Sequence, residues 1–309
     1  MQRLHYIDNL KAIAIICVVL GHVCSITNIP WMVSIIYSFH MALFFSISSC
    51  LIALSDNNID LRKKTEQLLI PYMSISFVAM AKHGFSSAAV SGYLMSETRW
   101  GYWFLPTLFL LFVLIKLVLW SKKLYKSNIV LFIISIFVIE CLLWVLKCCL
   151  PAPVADFFCM RHLVTYWPFF ILGYLYKKNI SSGNVIAWVA FCIWILVVYT
   201  DIRFNFSNEM TRMCGRFAAV IFLFGINKYI NKCYRYFTDI GKASLSIYLF
   251  HYFLLSYIGH FMDCMERVLL TLLGSALIIS ACCVLHYKII VNSKILSLLF
   301  MGKYKKYAL

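Results

Sequence analysis

Charged residues are scarce in this sequence, and acidic residues are the scarcest. Only 13% of the 309 residues are charged, with 12 Asp and Glu against 28 Lys and Arg. A soluble globular domain usually contains about 25% charged residues, so this composition excludes an ordinary aqueous fold. The 63% of hydrophobic residues indicates instead an integral membrane protein with little room for a soluble domain.

The motifs that usually mark cofactor and metal sites are also missing. The sequence contains no CxxC pair, no His/Cys spacing typical of zinc, and no P-loop, GxGxxG or GxSxG motif. The 13 cysteines are scattered through apolar runs and are interpreted as small buried residues. We therefore expect no metal and no bound cofactor. The net charge of +16 comes from short loops between apolar runs, which is typical of membrane topology and argues against nucleic acid as a partner.

Long apolar runs predict an all-α, polytopic membrane protein that forms a single domain over residues 1–309. A helix needs about 20 mostly apolar residues to cross the hydrocarbon core. About ten spans are predicted, near 10–27, 31–54, 68–82, 102–120, 128–147, 162–176, 185–200, 213–230, 244–260 and 267–286. Basic residues are more numerous in the loops on the same side as the N-terminus, which places both termini in the cytoplasm.

Three ionisable residues mark the first apolar run: Asp8, Lys11 and His22. Eleven residues of helix make about three turns, so Lys11 and His22 share one face about 16 Å apart. Lys11 lies near the helix entry, where it can meet Asp8, whereas His22 lies deep. A deep ionisable residue in a membrane segment is a functional hypothesis. The alternative is a histidine that only hydrogen-bonds between helices.

This run resembles the start of the acyltransferase 3 family, whose members typically begin with aspartate, leucine, a basic residue, ten intervening residues and histidine. The matching residues here are Asp8, Leu10, Lys11 and His22. Further segments that fit the family pattern in the same order are SFHMALFFSISSCLI at 38–52, LLIPY at 68–72, WFLPTLF at 103–109, FFILGYLYKK at 169–178 and ASLSIYLFHYFLL at 243–255. The FHMALFF segment resembles the fucose 4-O-acetylase-like subgroup.

The chain departs from the family pattern at three positions. Cys50 replaces the glycine of a serine-glycine pair, and Gln67 falls near the place of an arginine. Lys11 replaces the more frequent arginine, and it pairs with phosphate as a point charge without the bidentate fork of a guanidinium. The basic residues nearest to Gln67 are Arg62, Lys63 and Lys64.

The resemblance implies transfer of an acyl group, usually acetyl from acetyl-CoA, to a hydroxyl of a glycan or lipid-linked sugar. It also implies a multi-pass protein of the bacterial cytoplasmic membrane, with acyl-CoA, the acceptor and membrane lipid as partners. Such transfer needs a base for the hydroxyl proton, and histidine serves this role near neutral pH. His22 is therefore the predicted general base or transient acyl carrier, and Lys11, held by Asp8, is predicted to attract the CoA phosphates.

Further polar and aromatic residues are candidates for substrate binding. His40 can flank His22 across a short loop, and Arg161 and Arg216 can pair with Glu140 or bind an acceptor sugar or its phosphate. The outer loops are rich in aromatic residues, which suits either a carbohydrate surface or an interfacial belt. The full set of predicted binding residues is His40, Arg62, Trp103, Glu140, Arg161, Arg216 and His251.

A membrane transporter or flippase of a sugar-lipid or small solute is the alternative class. Ten spans, buried charge and prolines in or near spans also suit a transporter. Such a protein would show two related halves, and no internal repeat is visible in this sequence. An inactive family member that acts as an assembly partner is a third interpretation.

Overall fold

The computed structural model describes residues 5–55, 57–124, 128–179, 184–204, 208–230, 235–259 and 267–303. Every regular element in these ranges is a helix, which confirms the all-α prediction. The chain divides into two compact units, Met1–Cys50 with Leu172–Ile289, and Leu51–Ile171 with Ile290–Leu309. We refer to them as the first and the second unit, and the single domain over 1–309 stays a prediction.

The helices follow one another with short connections. In chain order they are α1 His5–Ile26, α2 Pro30–Tyr37, α3 His40–Leu54, α4 Leu61–Lys64, α5 Ile70–His83, α6 Ser87–Leu94, α7 Phe104–Leu124, α8 Ile129–Cys149, α9 Ala152–Phe157, α10 Met160–Asn179, α11 Asn184–Phe204, α12 Glu209–Gly225, α13 Asn227–Ile230, α14 Arg235–Lys242, α15 Ser244–Gly259, α16 Arg267–Val284 and α17 Lys294–Met301. Two π-helical stretches, Thr65–Leu69 and Leu285–Ile290, and one 3₁₀ turn, Arg99–Gly101, complete them.

Six helical segments of the described chain are long and apolar enough to cross a membrane. They are His5–Ile26, Pro30–Leu54, Phe104–Ser121, Ile129–Cys149, Val185–Phe204 and Arg267–Ile290, and each coincides with a predicted span. The other four predicted spans are also helical, but α5, α12 and α15 have only 14, 17 and 16 residues. The count of ten spans and the cytoplasmic location of both termini therefore stay predictions.

Helix α1 begins five residues before the predicted span, so Asp8 and Lys11 lie inside it. Its N-terminal part packs closely on α13 and α14. The Asn9 side-chain amide donates to the Ile230 carbonyl at 2.5 Å. Gly241 lies against the Asp8 main chain so closely that an added Cβ would collide with the Asp8 carbonyl. These contacts fix the position of α1 along its own axis.

The crossing of α3 and α10 in the first unit depends on small residues. A Cβ added at Gly173 would collide with the Ser46 carbonyl and the Ser49 hydroxyl. The Ser49 hydroxyl donates a hydrogen bond within α3, to the Ser46 carbonyl at 3.0 Å. Cys50, where the family pattern has glycine, is fully buried. Gly173 therefore provides the close approach in this region.

A buried arginine organises the second unit around the 3₁₀ turn. Arg99 and Trp100 adopt left-handed backbone angles, with φ of 45° and 50°, and Gly101 follows with φ of 97°. The Arg99 side chain is 3% exposed, and its guanidinium donates to the main-chain carbonyls of Asp156 and Phe157 at the end of α9. These hydrogen bonds hold the unusual turn that leads into Trp103 and α7.

Candidate functional site

His22 lies in the last two turns of α1, between two tyrosine hydroxyls. Its Nε2 atom is 2.9 Å from the Tyr252 hydroxyl of α15, and its Nδ1 atom is 3.5 Å from the Tyr37 hydroxyl of α2. A hydroxyl can donate or accept a hydrogen bond, so either nitrogen of His22 can carry the proton. This freedom is what a group that takes up and releases protons requires.

Two further histidines surround this pair of tyrosines. The rings of His22 and His251 are 5.4 Å apart, and those of Tyr37 and His40 are 5.1 Å apart. His251 Nδ1 donates to the Tyr248 carbonyl at 2.7 Å, and His40 Nδ1 donates to the carbonyl of Ile36 at 2.7 Å. Because carbonyls only accept, the tautomers of these two histidines are fixed, whereas the tautomer of His22 is not.

The Nε2 atom of His251 is buried and has no hydrogen-bond partner among the described residues. A buried polar atom without a partner costs free energy, so such atoms often mark functional sites. Together, His22, Tyr37, His40, His251 and Tyr252 form the histidine–tyrosine cluster of the first unit. The structure thus brings two predicted binding residues, His40 and His251, beside the predicted base.

A glycine places Tyr37 beside His22. A Cβ added at Gly21 would lie 2.8 Å from the Tyr37 ring, closer than real Cβ contacts allow. A larger residue at this position would displace the Tyr37 ring, so glycine lets the ring lie against α1 beside His22. The turn between the helices contains Asn28 with φ of 55°, and Pro30 then begins α2.

Two cavities share residues with the histidine–tyrosine cluster. One of about 340 Å³, the serine cavity, is lined by His22, Ser25, Ile26, Tyr252, Leu255 and Ser256. The other, of about 300 Å³, is the arginine cavity, and its polar and aromatic lining is Ser34, Tyr37, Ser38, Asp201, Arg212 and Arg216. Tyr37 belongs to the wall of the arginine cavity and reaches His22 with its hydroxyl. His22 therefore borders the serine cavity directly and is linked to the arginine cavity through Tyr37.

Asp8, Lys11 and His22 share one continuous helix, as predicted. Asp8 is buried and Lys11 is half-buried. Lys11 lies about 16 Å before His22 along the axis, so the two side chains cannot act on the same atom. A molecule that contacts both must be long.

In the second unit, Trp103 and Arg161 each contact other predicted-loop or α10 residues. Trp103 stacks on His162 with ring centroids 3.9 Å apart and lies 5.6 Å from the Tyr166 ring. Arg161 pairs with Glu97 at 2.9 Å. This aromatic and charged group follows the Arg99 turn, which the hydrogen bonds to α9 hold in place.

Of the two alternatives for Arg161, pairing with Glu140 is wrong, and binding of the acceptor stays a prediction. Arg161 is the second residue of α10, and its ion pair is with Glu97. The Glu140 Oε2 atom is buried without a hydrogen-bond partner among the described residues. The other predicted partner, Arg216, lies in the wall of the arginine cavity and contacts the Met213 sulfur at 3.8 Å.

Arg62 is a surface residue. Its side chain is 91% exposed and pairs with Glu66 one turn later at 3.5 Å. An exposed ion pair of this kind contributes little to stability. Gln67 follows within the π-helical stretch Thr65–Leu69, directly before α5.

Sequence reasoning missed the two tyrosines that contact His22. Both lie close in sequence to a predicted residue, since Tyr252 directly follows His251 and Tyr37 precedes His40 by three positions. As uncharged aromatic residues in apolar runs, they look like ordinary packing residues. The signal that could have found them is their placement one helical turn or less from a histidine.

The family assignment rests on nearly the whole chain. A family model described as an acyltransferase domain matches residues 4–287. The chain belongs to the acyltransferase 3 family, and with its apolar helices it is a membrane acyltransferase. Neither a curated protein nor a solved structure matches the chain. The family assignment supports an enzyme over the transporter alternative.

Proposed function

We propose that this protein transfers an acyl group, most simply acetyl, from acyl-CoA to a hydroxyl of a cell-envelope glycan or lipid-linked sugar in the bacterial cytoplasmic membrane. The observation that carries the proposal is the position of His22, between two hydroxyl groups, in the wall of the serine cavity and one tyrosine away from the arginine cavity. A base with a free choice of tautomer, beside one cavity and linked by a hydroxyl to another, suits acyl transfer to an alcohol.

In this mechanism His22 acts as the general base through Nδ1. The Nε2 proton is donated to the Tyr252 hydroxyl, which orients the ring. An acceptor hydroxyl displaces the weak 3.5 Å contact between Nδ1 and Tyr37 and gives its proton to Nδ1. The acceptor oxygen bonds to the thioester carbonyl carbon, the carbon–sulfur bond breaks, and the imidazolium returns the proton to the CoA sulfur.

Tyr37 has a second role in this mechanism. Once it no longer contacts Nδ1, its hydroxyl can donate to the oxyanion that develops on the thioester carbonyl oxygen. A donor already held in position stabilises the developing charge without reorganisation. The close packing of Tyr37 on Gly21 provides such a fixed position.

Lys11 and Asp8 would bind the donor at its charged end. CoA carries phosphates at one end and the thioester at the other, so a separation of about 16 Å suits it. The Lys11 ammonium acts as a point charge toward phosphate. Asp8, one turn earlier in the same helix, holds that ammonium in place.

The proposed function is tested by the envelope glycans of a deletion strain. We expect mass spectrometry to show a loss of one acyl group per acceptor unit in the deletion strain, restored by the wild-type gene. Membranes that contain the protein should release CoA from acetyl-CoA in the presence of glycan from the deletion strain. Unchanged glycan masses together with no CoA release would contradict the proposal and favour a transporter or an assembly partner.

Tyr252→Phe is expected to lower kcat about tenfold with little change in KM. The substitution removes one hydrogen bond to His22, and a loss of about 1.4 kcal/mol in the transition state corresponds to a tenfold rate effect. The matched control is Tyr257→Phe, five residues later in α15, where the side chain is 70% exposed. Steady-state kinetics of the purified proteins provides the measurement. Equal rates for both variants would remove Tyr252 from the mechanism.

A further inference from the structure

The arginine cavity carries an excess of positive charge beside the histidine–tyrosine cluster. Arg212 and Arg216 are four residues apart in α12, so their side chains lie on the same face of the helix. Asp201 of α11 is the acidic residue of the lining. Tyr37, in the same lining, has its ring 5.1 Å from the ring of His40. Two guanidinium groups against one carboxylate favour a ligand with a negative charge.

The shape of the cavity depends on close packing of its two long helices. A Cβ added at Gly215 would lie 2.9 Å from the Val197 side chain, so glycine lets α11 and α12 approach. On the α2 side, Ser38 is held by the Trp194 indole, whose N–H donates to the hydroxyl at 2.8 Å. The cavity is therefore built from packed helices, and its volume of about 300 Å³ is at the lower end for ligand sites.

The arginine cavity lies at the opposite end of α1 from Lys11. Helix α12 has its two arginines near Tyr37 and thus near His22. The chain then runs to Ile230, whose carbonyl bonds to Asn9, two residues before Lys11. Positively charged side chains thus lie near both ends of α1, with Lys11 at one end and the arginine cavity near His22 at the other.

We propose that the arginine cavity binds an anionic group of the acceptor, a carboxylate or a phosphate, and thereby presents a neighbouring hydroxyl to His22. This inference rests on the proposed function and names the class of acceptor. Guanidinium groups match carboxylate and phosphate with paired hydrogen bonds. Asp201 and Ser34 in the same wall offer partners for sugar hydroxyls. Tyr37, shared between cavity and cluster, connects the bound acceptor to the base.

The test uses the full-length protein in lipid nanodiscs, with acetyl-CoA and glycan extracted from the deletion strain. The glycan is used in three forms: untreated, with its carboxyl groups reduced to alcohols, and with its phosphates removed. The variants are a double variant that combines Arg212→Gln and Arg216→Gln, and the charge-preserving Arg216→Lys. The control is Arg203→Gln, because Arg203 is an exposed arginine of α11 outside the cavity. Size-exclusion profiles check that each variant is folded.

We expect one of the two treatments to raise the acceptor KM of the wild type at least tenfold, which identifies the anion as carboxylate or phosphate. With the untreated glycan, the KM of the double glutamine variant should rise to a similar extent. Neutralising the glycan should then cause no further increase in the KM of this variant. Arg216→Lys should retain part of the affinity, and Arg203→Gln all of it. The KM for acetyl-CoA should stay unchanged in every variant.

Two results would overturn this inference and leave the proposed function intact. One is a glycan that is acylated equally well in all three forms. The other is a double variant whose KM rises for acetyl-CoA instead of the acceptor, because the cavity would then serve the donor. If the double variant does not fold, the wild-type comparison of the three glycan forms decides, together with Arg216→Lys. Absence of any transfer by the wild type contradicts the proposed function itself, and the inference falls with it.

Discussion

Replacing His22 with alanine is expected to lower kcat for acyl transfer by about 10²–10⁴-fold, the usual contribution of a general base. Alanine removes both ring nitrogens, so no group remains between the Tyr37 and Tyr252 hydroxyls to take the acceptor proton. The KM values for acetyl-CoA and acceptor should change much less, because Lys11 and the arginine cavity lie outside the substitution. Transfer of labelled acetyl to glycan by purified protein measures this effect.

The matched control is His286→Gln in the same unit. His286 is also a buried histidine, and its Nδ1 atom hydrogen-bonds to the Ser246 hydroxyl at 2.8 Å. Glutamine retains a polar group that can bond to that serine, so transfer should persist. A His22→Ala protein that is folded and transfers at the wild-type rate would show that His22 is only a packing residue. A common loss in both variants would indicate damage to the fold rather than to the chemistry.

Gly173→Ala is expected to destabilise the protein by about 1–3 kcal/mol, the range for one added group in a packed interior. Its methyl group would collide with the Ser46 carbonyl, which belongs to the main chain of α3 and cannot rotate away. The helices would have to separate, and buried contacts around Cys50 would loosen. Thermal unfolding of the detergent-solubilised protein, followed by fluorescence, is the measurement.

Gly92→Ala provides the control, because the same chemical change occurs in α6 with no atom within 4 Å of the added Cβ. Alanine is a better helix former than glycine, so the free energy of unfolding of this variant should rise by about 0.5–1 kcal/mol. The two substitutions are therefore expected to shift the melting temperature in opposite directions. A Gly173→Ala protein as stable as wild type would show that α3 and α10 can separate at no cost.

The sequence was most informative about α1. The apolar run, its length and the spacing of Lys11 and His22 follow directly from helix geometry, and the structure has both residues on one helix as predicted. The family resemblance extended this to the class of enzyme, and the family model confirms it. Local periodicity suffices for such features because they lie within one element.

The contacts of His22 could not be predicted in the same way. Tyr252 lies 230 positions away in the sequence, and its hydroxyl meets His22 only because α1 and α15 pack together. The error at Arg161 has a related cause. Glu97 and Glu140 are both distant from Arg161 in sequence, and the ion pair forms with Glu97, two residues before the turn that Arg99 holds. Tertiary packing decides such pairings, and a single sequence contains no direct record of it.

The packing of Gly241 on the Asp8 carbonyl gives α1 a fixed register, and this makes the helix intolerant of a change in length. One extra apolar residue between Asn9 and His22 would keep the hydropathy of the segment almost unchanged. With the N-terminal part still held by Gly241 and Ile230, however, it would turn His22 by about 100° and move it about 1.5 Å along the axis. The imidazole would then point away from both tyrosines. Insertions and deletions in this segment are therefore excluded by geometry, even where every substitution of one apolar residue for another is accepted.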